Sequence, residues 1–301
     1  MDRALKGFAL LTTLGMIIVV IMGVLVTNTD SANGCGTSWP LCYGQFIPKQ
    51  GNEKTWIELS HRVVSALLGI MVILLAIWSW IRLRSTLAVK VLAVSSVFFI
   101  ALQGVLGGAA VIWQQSSFAL ALHFGFSIIS FSSVLLLMIV IFEQLHFRES
   151  YIPKLSRKWR VHIYVLTIYT YLVVYSGAFV RHSGSSAGCG TSWPLCNGEW
   201  LPPLPTPAGV QFIHRVAASL VFFWLLYLLI QAASHHRKEK LFFNSITFAF
   251  LLVSLQILAG ASVVLSGLDL PFLLMHAFFI TCFFGVLCYL FMIALRAKIK
   301  D

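Results

Sequence analysis

The chain has 301 residues, 59% of them hydrophobic and 10% charged, with a mean hydropathy of +0.89 and a net charge of +11. Soluble enzymes carry about a quarter charged residues, so an ordinary one is excluded, as are disordered and nucleic-acid-binding chains. A basic excess in so apolar a chain belongs first to membrane topology.

A bilayer-spanning helix needs about 20 mostly apolar residues, because its backbone amides must be satisfied within the segment. In chain order, eight windows meet that need: Phe8 to Thr27, Ile57 to Ile81, Val91 to Ile112, Phe118 to Phe142, Val161 to Val180, Phe212 to Ala232, Phe242 to Leu265 and Pro271 to Leu295. The expected fold is an all-α integral membrane protein with eight transmembrane helices. The first window follows Asp2, Arg3 and Lys6 but is too long for a signal-peptide core and lacks a small-x-small cleavage site, so it reads as a retained helix.

Basic residues set the orientation. With both termini cytoplasmic, the inner segments hold Arg3, Lys6, Arg82, Arg84, Lys90, Arg148, Lys154, Arg157, Lys158, Arg160, Arg237, Lys238, Lys240, Arg296, Lys298 and Lys300. The outer ends and loops hold only Lys49, Lys54, Arg62, Arg181 and Arg215, a strong positive-inside bias. Inner acids Asp2, Glu143, Glu149, Glu239 and Asp301 leave +11 inside, and outer acids Asp30, Glu53, Glu58, Glu199 and Asp269 leave zero outside. The expected location is the cell membrane.

An internal repeat organises the chain. GCGTSWPLC stands at Gly34 to Cys42 and again, unchanged, at Gly188 to Cys196. His61-Arg62-Val63 aligns with His214-Arg215-Val216, Gln103 and Gly107 with Gln256 and Gly260, and His123 with His276, at an offset of 154 and then 153. Each repeat holds four helices, so both halves enter the membrane in the same direction. The expected architecture is two tandem four-helix bundles related by a pseudo-twofold axis along the membrane normal. The halves are residues 1–145 and 161–301, joined by a basic cytoplasmic linker, 146–160, that contains Pro153.

The repeat sorts the histidines. His146, His235 and His236 fall in cytoplasmic loops and His162 at the inner start of helix 5, where a solvated or interfacial role is expected. His61, His123, His214 and His276 each lie about a turn inside an outer helix end, in apolar sequence, where ionisable residues are functional candidates. His61 can face His123 across the first bundle, and His214 can face His276 across the second. Two opposed imidazoles without nearby carboxylate or thiolate ligands suit bis-imidazole haem iron better than zinc, with an interhelical hydrogen bond as the plainer reading. Gln103 with Gly107, and Gln256 with Gly260, share a helix face, where the glycine either admits a flat macrocycle or serves small-residue helix packing. Arg62 and Arg215 adjoin the ligand candidates, to pair with haem propionates or to snorkel.

The halves differ at a few positions. Glu58 shares a face with His61, and its counterpart is Gln211; Ser127 and Ser130 follow His123 where Ile280 and Phe283 follow His276. Chemistry is expected in the first half and a held haem in the second, although a glutamate at a helix start also favours the helix dipole. Cys35 with Cys42, and Cys189 with Cys196, lie in outer loops short enough to close as disulfides, either structural or redox-active; a four-cysteine zinc site lacks the usual CxxC spacing. Cys282 and Cys288 read as buried thiols.

These residues resemble the haem A synthases, specifically the eight-helix kind of Gram-positive bacteria. The marks are the duplicated four-helix bundle, the ELSHR segment with Glu58 and His61, then His123, the second pair His214 and His276, and the two cysteine loops. The resemblance implies an enzyme that oxidises the C8 methyl of haem O to a formyl group through successive hydroxylations. It implies haem b on His214 and His276, relaying electrons, and haem O received near Glu58, His61 and His123. Glu58 would aid proton transfer or stabilise positive charge at the oxidised carbon, and the Cys35/Cys42 loop would close over the pocket or exchange electrons. Implied partners are the lipid bilayer, a haem O synthase that hands over the substrate, and an electron donor that the sequence does not identify. The rival classes are a di-haem electron carrier and a haem carrier without chemistry, both disfavoured by the contrast between Glu58 and Gln211.

Overall fold

The structure, a computed structural model, describes residues 2–113, 117–147 and 151–299. Among the inner charges counted above, Arg148, Glu149, Lys300 and Asp301 lie outside the described residues. The helices are α1 (Asp2–Asn28), α2 (Glu53–Arg82), α3 (Leu87–Ile112), α4 (Ser117–Phe142), α5 (Arg157–His182), α6 (Pro207–His235), α7 (Lys240–Leu265) and α8 (Leu270–Arg296). All eight are long and apolar enough to cross a membrane, so the chain is an all-α, multi-pass membrane protein.

The apolar windows and the helices share the ends of α3, α4 and α7, while α2 and α6 start earlier than their windows because polar caps extend them. Asn52 Oδ1 accepts from Thr55 N at 3.0 Å at the head of α2. Thr206 Oγ1 accepts from Gly209 N at 3.2 Å at the head of α6, where Pro207 occupies the first turn. Each cap satisfies an amide that has no partner inside the helix. α2 and α6 carry His61 and His214, so the caps also fix how far these histidines lie from the loops.

Hydroxyls inside the helices bond back to the carbonyl four residues earlier, as Thr13 does to Ala9 (2.8 Å), Ser132 to Ile128 (2.7 Å) and Thr281 to Ala277 (2.7 Å). These three hydroxyls are thereby satisfied within their own helices, as a lipid environment requires. Leu10, Leu14, Ile70, Ile77, Leu220 and Phe248 are among many large apolar side chains left on the outside, as a lipid solvent permits.

The chain divides into two compact units, Met1–Ser150 and Tyr151–Asp301. In the first, α1 and α3 each pack against both α2 and α4, closing a four-helix ring in which α2 and α4 stand diagonally. In the second, α5 and α7 each pack against both α6 and α8, which again stand diagonally. Phe242, Ile246, Leu225, Phe283 and Leu287 are wholly buried at the heart of the second ring. Its linker end is tied by Tyr151, whose hydroxyl donates to Glu239 Oε2 at 2.9 Å. A two-residue parallel pairing of Lys154–Leu155 with Lys298–Ile299 closes the same end.

Two expectations for the helix ends away from the cysteine loops change. Glu143–Phe147, which lies beyond the apolar window and crosses the expected start of the linker at 146, forms a π-helical turn that prolongs α4, with Glu143 8% exposed. His236, read as solvated or interfacial, is buried at the end of α6, its ring edge-on to Trp159 and Phe242 at 5.1 and 5.4 Å. Aromatic neighbours from the start of α5 and of α7 close over it, a contact that local sequence does not display.

Candidate functional site

Diagonal helices bring the four singled-out histidines together in pairs. At 1.5 Å of rise per residue, they lie about 9–12 Å into α2, α4, α6 and α8, counted from the helix starts at the cysteine-loop end. The His61 and His123 imidazoles stand within electrostatic reach of each other across the first ring, and those of His214 and His276 across the second.

Each imidazole rests on a glycine of the neighbouring helix. A Cβ added to the glycine would stand 3.3 Å from Cε1 of His61 at Gly23, 3.1 Å from that of His123 at Gly107, 2.9 Å from that of His214 at Gly177 and 2.9 Å from that of His276 at Gly260. All four glycines lie five residues before the last residue of their helix. A side chain there would push the ring off its position, so the glycines are notches that seat the imidazoles. Gly107 and Gly260 thus face histidine rather than a helix backbone.

The glutamines stand beside the rings. Gln256 Nε2 is 3.0 Å from His276 Nε2, and the Gln256 carbonyl oxygen is 3.1 Å from His276 Nδ1. Gln103 Nε2 is 3.5 Å from His123 Nε2 and also bonds Ser127 Oγ, whose hydroxyl donates to the His123 carbonyl at 2.8 Å. Among the buried polar atoms without a hydrogen-bond partner in the described residues, four belong to the histidines and their glutamines: His61 Nδ1, His123 Nδ1, Gln103 Oε1 and Gln256 Oε1. Such concentration at the histidine level is unusual for a packed bundle and fits a polar or metal-bearing guest.

Beside each pair lies a closed cysteine loop. Disulfides join Cys35 to Cys42 and Cys189 to Cys196, with S–S distances of 2.05 and 2.04 Å, and all four sulfur-bearing residues are buried. In both loops the second cysteine opens a tight turn with two consecutive positive φ angles, 51° and 75° at Tyr43-Gly44 and 54° and 85° at Asn197-Gly198. Trp39-Pro40 and Trp193-Pro194 are cis. The Trp39 ring lies against Gly108, so the first loop seats directly on α3 next to the Gly107 notch. Cys282 and Cys288 are half-buried thiols rather than fully buried ones.

Glu58 and Gln211 hold these loops. Glu58 Oε2 accepts from Cys35 N at 2.8 Å, and Gln211 Oε1 accepts from Cys189 N at 2.7 Å. Gln211 spends its amide on the Ser186 carbonyl at 2.9 Å, whereas Glu58 Oε1 is paired with Arg62 at 2.5 Å. Arg62 Nη1 donates to the Ser38 and Leu41 carbonyls at 2.8 Å, and Arg215 likewise donates to those of Ser192, Pro194 and Leu195 at 3.0–3.3 Å. Both arginines are loop anchors in this structure. The carboxylate of Glu58, 3% exposed, is a buried acid of the first unit that has no acidic counterpart in the second.

Among the described residues no three His, Cys, Asp or Glu side chains converge to hold a bare metal ion. Two imidazoles on opposite sides complete the coordination of an iron whose other ligands come from a flat macrocycle, and that is the group the donor set suits.

A profile of the cytochrome oxidase assembly protein family (COX15-CtaA) matches residues 6–288. The chain belongs to that family. Proteins called Heme A synthase are similar to it over nearly their whole length. One from Geobacillus kaustophilus is 49% identical over 298 residues, covering 99% of this chain and 94% of the relative. One from Geobacillus thermodenitrificans is 47% identical over 301 residues, with coverage of 99% and 94%. One from Bacillus cereus is 43% identical over 300 residues, with coverage of 100% and 96%.

Within this member of the cytochrome oxidase assembly protein family, the structure adds Gly23, Gly177, Ser176 and His182 to the residues that the sequence singles out. The two glycines are equivalent in the repeat at the offset of 154, a signal that was available. His182 closes α5 beside Arg181, where the first unit has Asn28 and Thr27. Ser176 lies 2.8 Å from His214 Nδ1, a contact no spacing rule reveals.

Proposed function

We propose that this chain is a haem A synthase, an oxidoreductase that converts the C8 methyl of haem O to the formyl group of haem A. The reading is carried by one observation: paired histidines from diagonal helices in both units, in a chain 49% identical to a protein called Heme A synthase. In this reading the first unit receives haem O beside Glu58, His61 and His123, and the second binds haem b through His214 and His276. Haem b, when bound, supplies one-electron transfer.

The chain's own residues do the rest. His61 and His123, seated on Gly23 and Gly107, orient the substrate, while Gln103 and Ser127 keep polar donors at the same level. Oxidising a methyl group releases protons and leaves the carbon electron-poor on the way. Glu58 lies three residues before His61 on the same helical face and meets both demands, as a proton acceptor and as a negative charge. Arg62 and Cys35 N hold that carboxylate in place, and the disulfide loop with Trp39 roofs the pocket against water. In the same reading the termini lie in the cytoplasm and the cysteine loops outside the plasma membrane, which the distribution of basic residues supports. Substrate arrives by handover from the farnesyl-transferring enzyme within the bilayer, and a separate donor or acceptor exchanges the electrons.

The test is co-expression with a source of haem O, followed by mass analysis of extracted haem. Haem A is expected with the parent chain. With His214→Ala or His276→Ala, low-spin haem b and haem A are both expected to be lost. Failure of haem A to appear with the parent defeats the synthase reading; normal low-spin haem b in both variants defeats the cofactor site.

A further inference from the structure

Two histidines at equivalent places in the repeat differ in what holds their second nitrogen. In the second unit, His214 Nδ1 lies 2.8 Å from Ser176 Oγ on α5, and the Ser176 hydroxyl donates to the Val173 carbonyl at 2.7 Å. A hydroxyl has one proton. With that proton spent on Val173, Ser176 Oγ serves His214 as an acceptor, so Nδ1 carries the imidazole hydrogen and Nε2 the lone pair. His276 arrives at the same tautomer, because the Gln256 carbonyl, 3.1 Å from its Nδ1, can only accept.

The first unit lacks this support. Met22 stands where the repeat places Ser176, one residue before the notch glycine in each case, and its thioether is at most a weak acceptor. His61 Nδ1 is buried without a hydrogen-bond partner among the described residues, and so is His123 Nδ1, although the Gln103 carbonyl adjoins it outside hydrogen-bond geometry. Otherwise the four rings are alike: each is seated on a glycine at the same helical depth.

An Nδ1–H tied to an oxygen fixes ring rotation and raises the basicity of Nε2, and both effects strengthen an imidazole as an iron ligand. An untied ring turns and detaches more easily. We infer that Ser176 is a positioning residue that makes His214 a permanent haem-iron ligand, and that Met22, by offering no hydroxyl, leaves His61 an exchangeable one. This rests on the reading that His214 and His276 carry a resident haem while the first unit handles a haem that must leave as product. A resident cofactor gains from a locked ligand. A substrate site is impeded by one, because every turnover requires release.

The test uses the full-length protein purified with its haem, as parent, Ser176→Ala, Ser176→Thr and His214→Ala. Two quantities are read: the midpoint potential of the low-spin haem, and its rate of transfer to excess apomyoglobin. Ser176→Ala is expected to raise the potential, because the ligand donates less electron density, and to speed haem loss by roughly 10- to 100-fold. Ser176→Thr, which keeps the hydroxyl and its bond to the preceding turn, is expected to return both to parent values. Parent-like values in Ser176→Ala overturn the inference, as does failure of Ser176→Thr to restore them. Should Ser176→Ala hold no haem, Ser176→Thr decides: haem at the parent potential supports the hydroxyl, and a haem-free protein overturns it.

Retention of low-spin haem in His214→Ala would instead remove the ligand assignment, an outcome distinct from a parent-like Ser176→Ala. For the first unit, protein saturated with added haem is compared with Met22→Ser. Slower release of the more loosely held haem is expected; an unchanged rate overturns that half.

Discussion

At Glu58 the observed anchoring of the cysteine loop coincides with the proton handling proposed for the first unit, and Gln211 can serve only the anchoring. Its carboxylate holds the cysteine loop through Cys35 N, and Gln211 does the same for Cys189 with a neutral amide. What Gln211 lacks is charge and the ability to take a proton. Glu58→Gln therefore removes the proposed chemistry while leaving the loop bond available, and Arg62 retains the Ser38 and Leu41 carbonyls as Arg215 retains its own. Glu58→Gln is expected to be produced at parent levels with haem bound, and to accumulate haem O at the expense of haem A in extracted-haem analysis. Glu58→Ala is expected to lose protein as well, since it strands a largely buried arginine and a loop amide, at a cost of about 3–5 kcal/mol. Near-parent haem A from Glu58→Gln would reduce Glu58 to a loop anchor. The contrast with Gln211 was legible in the sequence, and so was Glu58 as a candidate. Its bond to Cys35 was not, because the loop reaches α2 only through the tertiary fold.

Between helices, the repeated device is the glycine notch. Membrane helices associate through close packing rather than through a hydrophobic drive, so a missing side chain lets an imidazole approach the neighbouring backbone. Gly177→Ala and Gly260→Ala would each place a methyl 2.9 Å from Cε1 of a histidine. Overpacking of this kind costs about 1–3 kcal/mol, and here it is relieved by moving the ring. Both variants are expected to shift or weaken the low-spin haem spectrum of the purified protein. Gly104→Ala is the control, since nothing lies within 4 Å of the added methyl, and it is expected to match the parent. Equal spectra from all three would show that the notches carry no constraint on the ligands. The sequence displayed Gly107 and Gly260 because each follows a glutamine by four residues. Gly23 and Gly177 were marked only by their equivalence in the repeat, since neither follows a glutamine, and it is the packing of α1 on α2 and of α5 on α6 that brings them under a histidine.

Across the whole chain, helix number and the ends of α3, α4 and α7 were the most legible features, because lipid demands long uninterrupted apolar runs. The helix starts were less so: caps such as Asn52 and Thr206 extend α2 and α6 into polar sequence. The proposed orientation makes a direct prediction. A cysteine introduced by Phe46→Cys, at a loop residue 86% exposed, is expected to react with a membrane-impermeant maleimide on intact cells. One introduced by Lys238→Cys, in the exposed connection between α6 and α7, is expected to react only after permeabilisation. The reverse pattern would invert the topology and place the cysteine loops in the cytoplasm.

The four notches also date one another. The two units descend from one duplicated segment, as the repeated GCGTSWPLC implies, and a seat built the same way in both is older than the copying event. Glu58 against Gln211, and Met22 against Ser176, diverged afterwards. The ancestor on this account already housed histidines in glycine notches before either half took the task proposed for it, and the division of holding from release would rest on a few later substitutions.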